Sequence, residues 1–167
     1  MNRPTIEHVR ELFRYDPETG SIYLKHSRQR GFDPSKPVGH VNRGYVRVNV
    51  CGRLITAHTL AWALHHGEWV DRLDHIDRDR ANNRINNLRP ATNGQNQANG
   101  GVRGAIPAKG VYLNSRRTKY AAEINFDGGR KFLGHFDTMD EAAHAYNKAA
   151  ILHHGEFALL NPIGADK

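Results

Sequence analysis

Seven asparagines lie between Asn82 and Asn99, and that density of short carboxamides decides what the middle of this chain can become. An asparagine side chain bonds nearby backbone groups and so competes with the ladders of regular structure. Asn82, Asn83, Asn86 and Asn87 therefore predict an irregular loop held in shape by its own side chains. Before it, Leu73-Asp74-His75-Ile76-Asp77 reads as a strand end that sets a carboxylate beside an imidazole. After it, Thr92 can cap a short helix carrying Asn96. A hairpin followed by that helix brings Asn96 towards Asp74.

Those residue types suit phosphodiester chemistry. Asp74 and Asn96 offer hard oxygen ligands, the set that suits magnesium or manganese with phosphate oxygens completing the shell. A neutral imidazole at His75 can take a proton from an attacking water, and Arg78, Arg80, Arg84 and Arg89 can hold phosphates. Each also has a purely structural reading. Asp74 can cap a turn, His75 can be a satisfied half-buried histidine, and the arginines can form a solvated face.

On either side the chain reads as two units. The run Asn99-Gly-Gly-Val-Arg-Gly-Ala-Ile-Pro107 is rich in residues that break regular structure, which predicts an N-terminal unit over 1–100 and a linker at 101–108. A second unit spans 109–161, with a tail at 162–167. The first unit opens with a short helix from Thr5 to Phe13, turns at Asp16-Pro-Glu-Thr-Gly20 and forms a hairpin from Gly44–Val50 and Arg53–Thr56. A helix from Ala57 to His66 follows, stopped by Gly67. The second unit shows strands at Gly110–Asn114, Tyr120–Phe126 and Arg130–Phe136, then a capping box at Thr138-Met-Asp-Glu141. The helix behind it carries Ala142, Ala145, Tyr146, Ala149 and Leu152 on one face. The repeated Leu-His-His-Gly-Glu at residues 64 and 152 reads as two uses of one helix stop, histidines at the negative dipole end and glycine in a left-handed cap. His58 reads as packed on the hairpin, with support of the site as the other reading. Trp62 and Leu64 read as core.

Composition narrows the partner. Lysine and arginine outnumber aspartate and glutamate 24 to 17, for a net charge of +7, which favours a polyanion. The excess is local: residues 103–131 hold seven basic and two acidic side chains, and residues 132–167 hold two and five. The sheet is thus the positive side of the second unit, and Lys109, Arg116, Arg117, Lys119 and Arg130 become candidate DNA contacts beside Arg80, Arg84 and Arg89. A single cysteine, Cys51, excludes an intramolecular disulfide. No apolar run reaches membrane-span or signal-peptide length, so the expected location is the cytoplasm, with no membrane and no obligate protein partner.

The segments Ala57-His58-Thr-Leu-Ala-Trp62, Leu73-Asp-His-Ile-Asp77, Asn82-Asn83, Asn86-Asn87-Leu88-Arg89 and Gln95-Asn96 resemble the HNH endonuclease family, in the branch carried by phages and mobile elements of bacterial hosts. The resemblance implies a ββα-metal site in which Asp74 and Asn96 are metal ligands, His75 is the general base and Asn87 fixes the loop. Many HNH enzymes have histidine at the position of Asn96, and related homing-type nucleases are similar to this chain there. The second unit resembles the DNA-binding domain of plant ethylene-response factors, which is also found fused to HNH nucleases. Lys109-Gly-Val111, Tyr120-Ala-Ala-Glu-Ile124, Leu133-Gly-His-Phe136 and Phe157-Ala-Leu-Leu-Asn161 carry that match. Tyr112, Asn114 and Phe132 stand where that family uses arginine and tryptophan against the major groove.

The expectation is an α+β chain: an N-terminal ββα-metal nuclease unit and a C-terminal three-stranded antiparallel sheet packed on one helix. The expected activity is metal-dependent cleavage of double-stranded DNA by one divalent ion, Mg or Mn, and a histidine base. One centre per chain favours nicking. The alternative is a non-cleaving DNA-binding protein with an inactive HNH scaffold. An RNA-directed nuclease is disfavoured, because the strands offer few exposed aromatic platforms.

Overall fold

Thr5 starts the first helix by accepting the His8 amide at 3.2 Å. Helix α1 (Ile6–Leu12) then ends one residue before the predicted limit, because Phe13 turns extended and opens a strand. This computed structural model describes residues 3–28, 30–102, 105–116 and 118–164. Its compact units are residues 1–91 and 92–167. Helices and small antiparallel sheets are mixed along the chain, the α+β class. Among the described residues no helix is long and apolar enough to cross a membrane.

In the first unit, β1 (Phe13–Asp16) and β2 (Ser21–Leu24) pair around the turn read from Asp16 to Gly20. The next sheet is a meander of β3 (His40–Asn42), β4 (Tyr45–Val50) and β5 (Arg53–Thr56). Its two-residue turns, Arg43-Gly44 and Cys51-Gly52, hold both residues at positive φ, the primed turn geometry that matches strand twist. Helix α2 (Ala57–His66) follows β5 directly and stops at Gly67, which is left-handed at φ 78°. Val9, Phe13, Ile22, Val48, Val50, Leu60, Ala61 and Trp62 form one buried cluster with Leu73 and Leu88. Full burial of an aliphatic or aromatic side chain of this size stabilises by about 1.5–3 kcal/mol, so this cluster fixes the strands that carry the site. Those strands are β6 (Leu73–His75) and β7 (Leu88–Pro90), antiparallel, with Leu73 opposite Pro90, Asp74 opposite Arg89 and His75 opposite Leu88.

The second unit opens with α3 (Asn93–Asn99), whose capping box joins Thr92 and Gln95 reciprocally. A sheet follows in the order β10-β9-β8, built from β8 (Val111–Leu113), β9 (Tyr120–Phe126) and β10 (Gly129–Phe136). A bulge lies between Phe132 and Gly134. Helix α4 (Met139–His154) starts from the predicted Thr138/Glu141 box and buries Ala142, Ala143, Tyr146 and Ala150. The core is alanine-rich, so helix and sheet approach closely. A Cβ on Gly110 would lie 2.3 Å from the Tyr146 ring.

Three details differ from the sequence expectation. Leu152 is 77% exposed, because the buried face of α4 is set by Ala142, Tyr146 and Ala150 and has rotated away from it. Gly155 does not repeat the left-handed cap of Gly67: at φ 53°, ψ −127° it leads into a 3-10 turn (Gly155–Phe157). The stretch read as a linker is packed at its C-terminal end, where Ala108 is buried and Ile106 lies against it. Lys109 follows, its Nζ donating to the carbonyls of Gln97 at 3.0 Å, Gly100 at 2.6 Å, and Ala98. The end of α3 is therefore held by its own unit.

Candidate active site

The loop of residues 76–87 is tied by its polar side chains, and Asn87 is the main knot. Its Oδ1 accepts the Asp77 amide at 3.0 Å, while its Nδ2 donates to Asp77 Oδ1 at 2.9 Å and to the Asn82 carbonyl at 2.8 Å. Asn82 Nδ2 donates to the other Asp77 oxygen at 2.6 Å. Burial raises the Asp77 carboxyl, but the hydrogen bonds from Asn82, Asn87 and the Asp79 amide outweigh it and hold Asp77 below the usual carboxylate range.

The first hairpin braces this loop from outside. Tyr15 Oη donates to the Asn83 carbonyl at 2.7 Å, and Arg84 Nε donates to the Glu18 carbonyl at 2.7 Å. Gly20, at φ +76°, passes so close that a Cβ would lie 2.6 Å from the Arg84 nitrogen. Only glycine meets both conditions there.

Asp74 and His75 are adjacent on β6 and both buried, at 7% and 6% exposure. Asp74 Oδ2 accepts from Arg89 Nε at 3.0 Å and Nη2 at 2.9 Å. Arg89, expected to hold phosphate, thus lies against the expected metal ligand. His75 Nε2 is 3.3 Å from Asn83 Oδ1. Asn83 Nδ2 donates to the Ala81 carbonyl at 3.0 Å, which fixes the amide so that its oxygen faces the histidine. An amide oxygen can only accept, so Nε2 carries the proton and the lone pair of the neutral ring is on Nδ1. Burial lowers the His75 pKa and outweighs the opposing effects of Asn83, Asp77, Asp74 and Asp79.

Two aromatic rings complete this surround. His58, in the first turn of α2, meets His75 edge to face with centroids 4.9 Å apart and planes at 82°. Tyr45 lies 5.5 Å from His58 and 6.2 Å from His75, and the Arg80 guanidinium sits 4.9 Å over the Tyr45 ring. His58 is pushed down to about 4, by burial first and then by His75. Asn83 was read from the sequence only as a loop-shaping asparagine, not as a partner of His75, and Tyr45 was not singled out. An Asn beside the expected base and an aromatic next to the Arg43-Gly44 turn were the available signals.

Residues 56–98 match the HNH endonuclease family model. The match runs from the residue before α2 through β6, the tied loop and β7 into α3, and it supports a nuclease acting on DNA. That family generally uses a divalent metal. No solved structure matches the chain.

The remaining expected residues lie in the second unit. Asn96 is on α3. On the sheet, Tyr112 Oη donates to Glu123, and Arg130 Nη1 lies 3.3 Å from the second Glu123 oxygen. Phe132 is 50% exposed and meets His135 edge to face. Asn114 Oδ1 accepts the Thr118 amide at 2.9 Å, closing the turn between β8 and β9. Lys119 pairs with Asp137 at 3.0 Å, Arg116 is exposed, and Arg117 falls outside the described residues.

Among the described residues no cluster of three or more His, Cys, Asp or Glu could hold a metal ion. The Asp74 carboxylate is a hard oxygen donor, of the kind that suits a cation taking most of its shell from phosphate oxygens and water, as magnesium does.

Proposed function

We propose that this protein is a metal-dependent endonuclease that nicks double-stranded DNA, with His75 as general base. The observation that carries the reading is the environment of His75 inside the segment that matches the HNH endonuclease model. Burial keeps the ring neutral, and the Asn83 contact leaves the basic lone pair on Nδ1. In this reading Nδ1 takes the proton of the attacking water. Asn87 keeps the loop beneath it rigid through its three bonds. Asp74 and, from the family resemblance, Asn96 would hold one divalent ion, Mg or Mn. When bound, that ion stabilises charge on the phosphate and on the departing oxygen.

The second unit supplies the duplex contact in this reading. Its sheet offers Tyr112, Arg130 and Phe132, and the turn between β8 and β9 adds Arg116; base-facing and phosphate-facing groups of this kind position a duplex. Supercoiled plasmid incubated with the protein tests the proposal. Open circles that appear with magnesium and vanish with a chelator are expected. Retarded plasmid that stays supercoiled under both conditions would favour the non-cleaving alternative.

A further inference from the structure

We propose that His58 is a positioning residue for His75, acting as a ring wall that holds the base in its working orientation. The inference rests on the reading of His75 as the base and goes beyond it to a residue not on the same strand or loop. The geometry is specific. Thr56 is the N-cap residue of α2, yet its hydroxyl makes no capping bond. Instead it lies 3.3 Å from His58 Nε2 and 2.8 Å from the Thr59 hydroxyl, so the His58 ring is tethered at one nitrogen. Its plane stands at 82° to the His75 ring with centroids 4.9 Å apart, the edge-to-face arrangement that aromatic pairs favour.

The other nitrogen, Nδ1, is buried and has no hydrogen-bond partner among the described residues. A wall needs only the ring, so a phenyl in this place should serve without that cost. The Tyr45 ring lies 5.5 and 6.2 Å from the His58 and His75 rings by centroid, and Asn83 Oδ1 lies 3.3 Å from His75 Nε2. His75 is thus bounded by an amide and two rings, and His58 is the only one of the three on α2. Removing the His58 ring leaves His75 with room to turn about its side-chain bonds. A reacting group displaced by about 1 Å can lose ~10²-fold in rate.

Three variants of the full chain test this: His58→Ala removes the ring, His58→Phe keeps a ring without the tether, and His58→Gln keeps a polar group without a ring. Two readouts are taken, single-turnover nicking with magnesium and the ring nitrogen and proton resonances of His75. The expected result is a loss of about 10- to 100-fold in the cleavage step for Ala and Gln, with DNA affinity unchanged. The Phe variant should keep most of the rate. The His75 resonances should broaden or shift in Ala and Gln and stay near wild type in Phe. Wild-type nicking and resonances in His58→Ala would overturn the proposal. So would a folded His58→Phe as inactive as Ala with His75 resonances intact, since that would require a nitrogen at this position. If the wild-type chain cuts nothing, the nuclease reading fails, and the His75 resonances alone still decide whether His58 positions that ring.

Discussion

Arg89 turns both Nε and Nη2 onto one oxygen of Asp74, at 3.0 and 2.9 Å, across the two short strands that frame the site. Both side chains are largely buried, at 13% and 8% exposure. Strand register places them directly opposite, so the carboxylate is aimed by its cross-strand neighbour.

Removing one partner of a buried pair leaves the other charge without compensation, which costs about 3 kcal/mol or more. Arg89→Met should therefore lower the unfolding free energy by that order in urea titration. Arg89→Lys, which cannot reproduce the two-pronged contact, should fall between. A stability loss within about 0.5 kcal/mol for Arg89→Met, the range of an ordinary surface change, would mean that Asp74 does not depend on this pair.

Asn87→Ala removes one acceptor and both donor bonds from the loop, at about 1 kcal/mol for each bond. Amide exchange in residues 76–87 should accelerate well before the α2 core opens. Asn87→Asp is the harsher change, since it sets a second carboxylate against Asp77 Oδ1 where a donor now sits. Loop amides that remain protected in Asn87→Asp would show the loop to be held by its backbone alone.

The buried histidines make stability depend on pH in a definite direction. His58 sits near 4 in the fold against an ordinary 6.5, and His75 is displaced the same way. Between those values the unfolded chain binds more protons than the folded one, so stability rises with pH across about 4 to 6.5 and is lost as pH falls. The His58 share is up to roughly 3 kcal/mol at full extent. Denaturant unfolding at pH 4.5 and 7 should show a smaller difference in His58→Phe than in wild type. Equal slopes would place the acid sensitivity elsewhere.

Much of this was legible because it is local. The two caps at Thr5 and Thr138, the Gly67 stop and the turn at Cys51-Gly52 depend on residues within a few positions of one another, and the asparagine-held loop on contacts up to ten residues apart within 77–87. What was not legible needs tertiary register. Arg89 meets Asp74 only because the whole loop closes a hairpin with those two opposite. His58 reaches His75 only because α2 packs behind the strands. The exposure of Leu152 follows from which face of α4 the sheet buries, Ala142, Tyr146 and Ala150, which the helical pattern alone does not state. Lys109 illustrates the same limit, since its charge predicted a phosphate contact and its Nζ faces the carbonyls at the end of α3.

Lys109→Met separates those two roles. If the ammonium chiefly holds α3, the amides around Asn96 to Gly100 should exchange faster while the salt dependence of DNA binding keeps its slope. If it chiefly contacts phosphate, the log-log slope should fall by about 0.9 with α3 protection unchanged.

The account turns on His75. Single-turnover nicking of plasmid by His75→Ala, with saturating protein and magnesium and with DNA affinity measured on the same preparation, tests it most directly. A general base contributes to the transition state rather than to ground-state contact. The rate should therefore fall at least ~10²-fold while affinity holds. Wild-type nicking by the folded variant, or affinity lost in step with rate, would contradict the assignment.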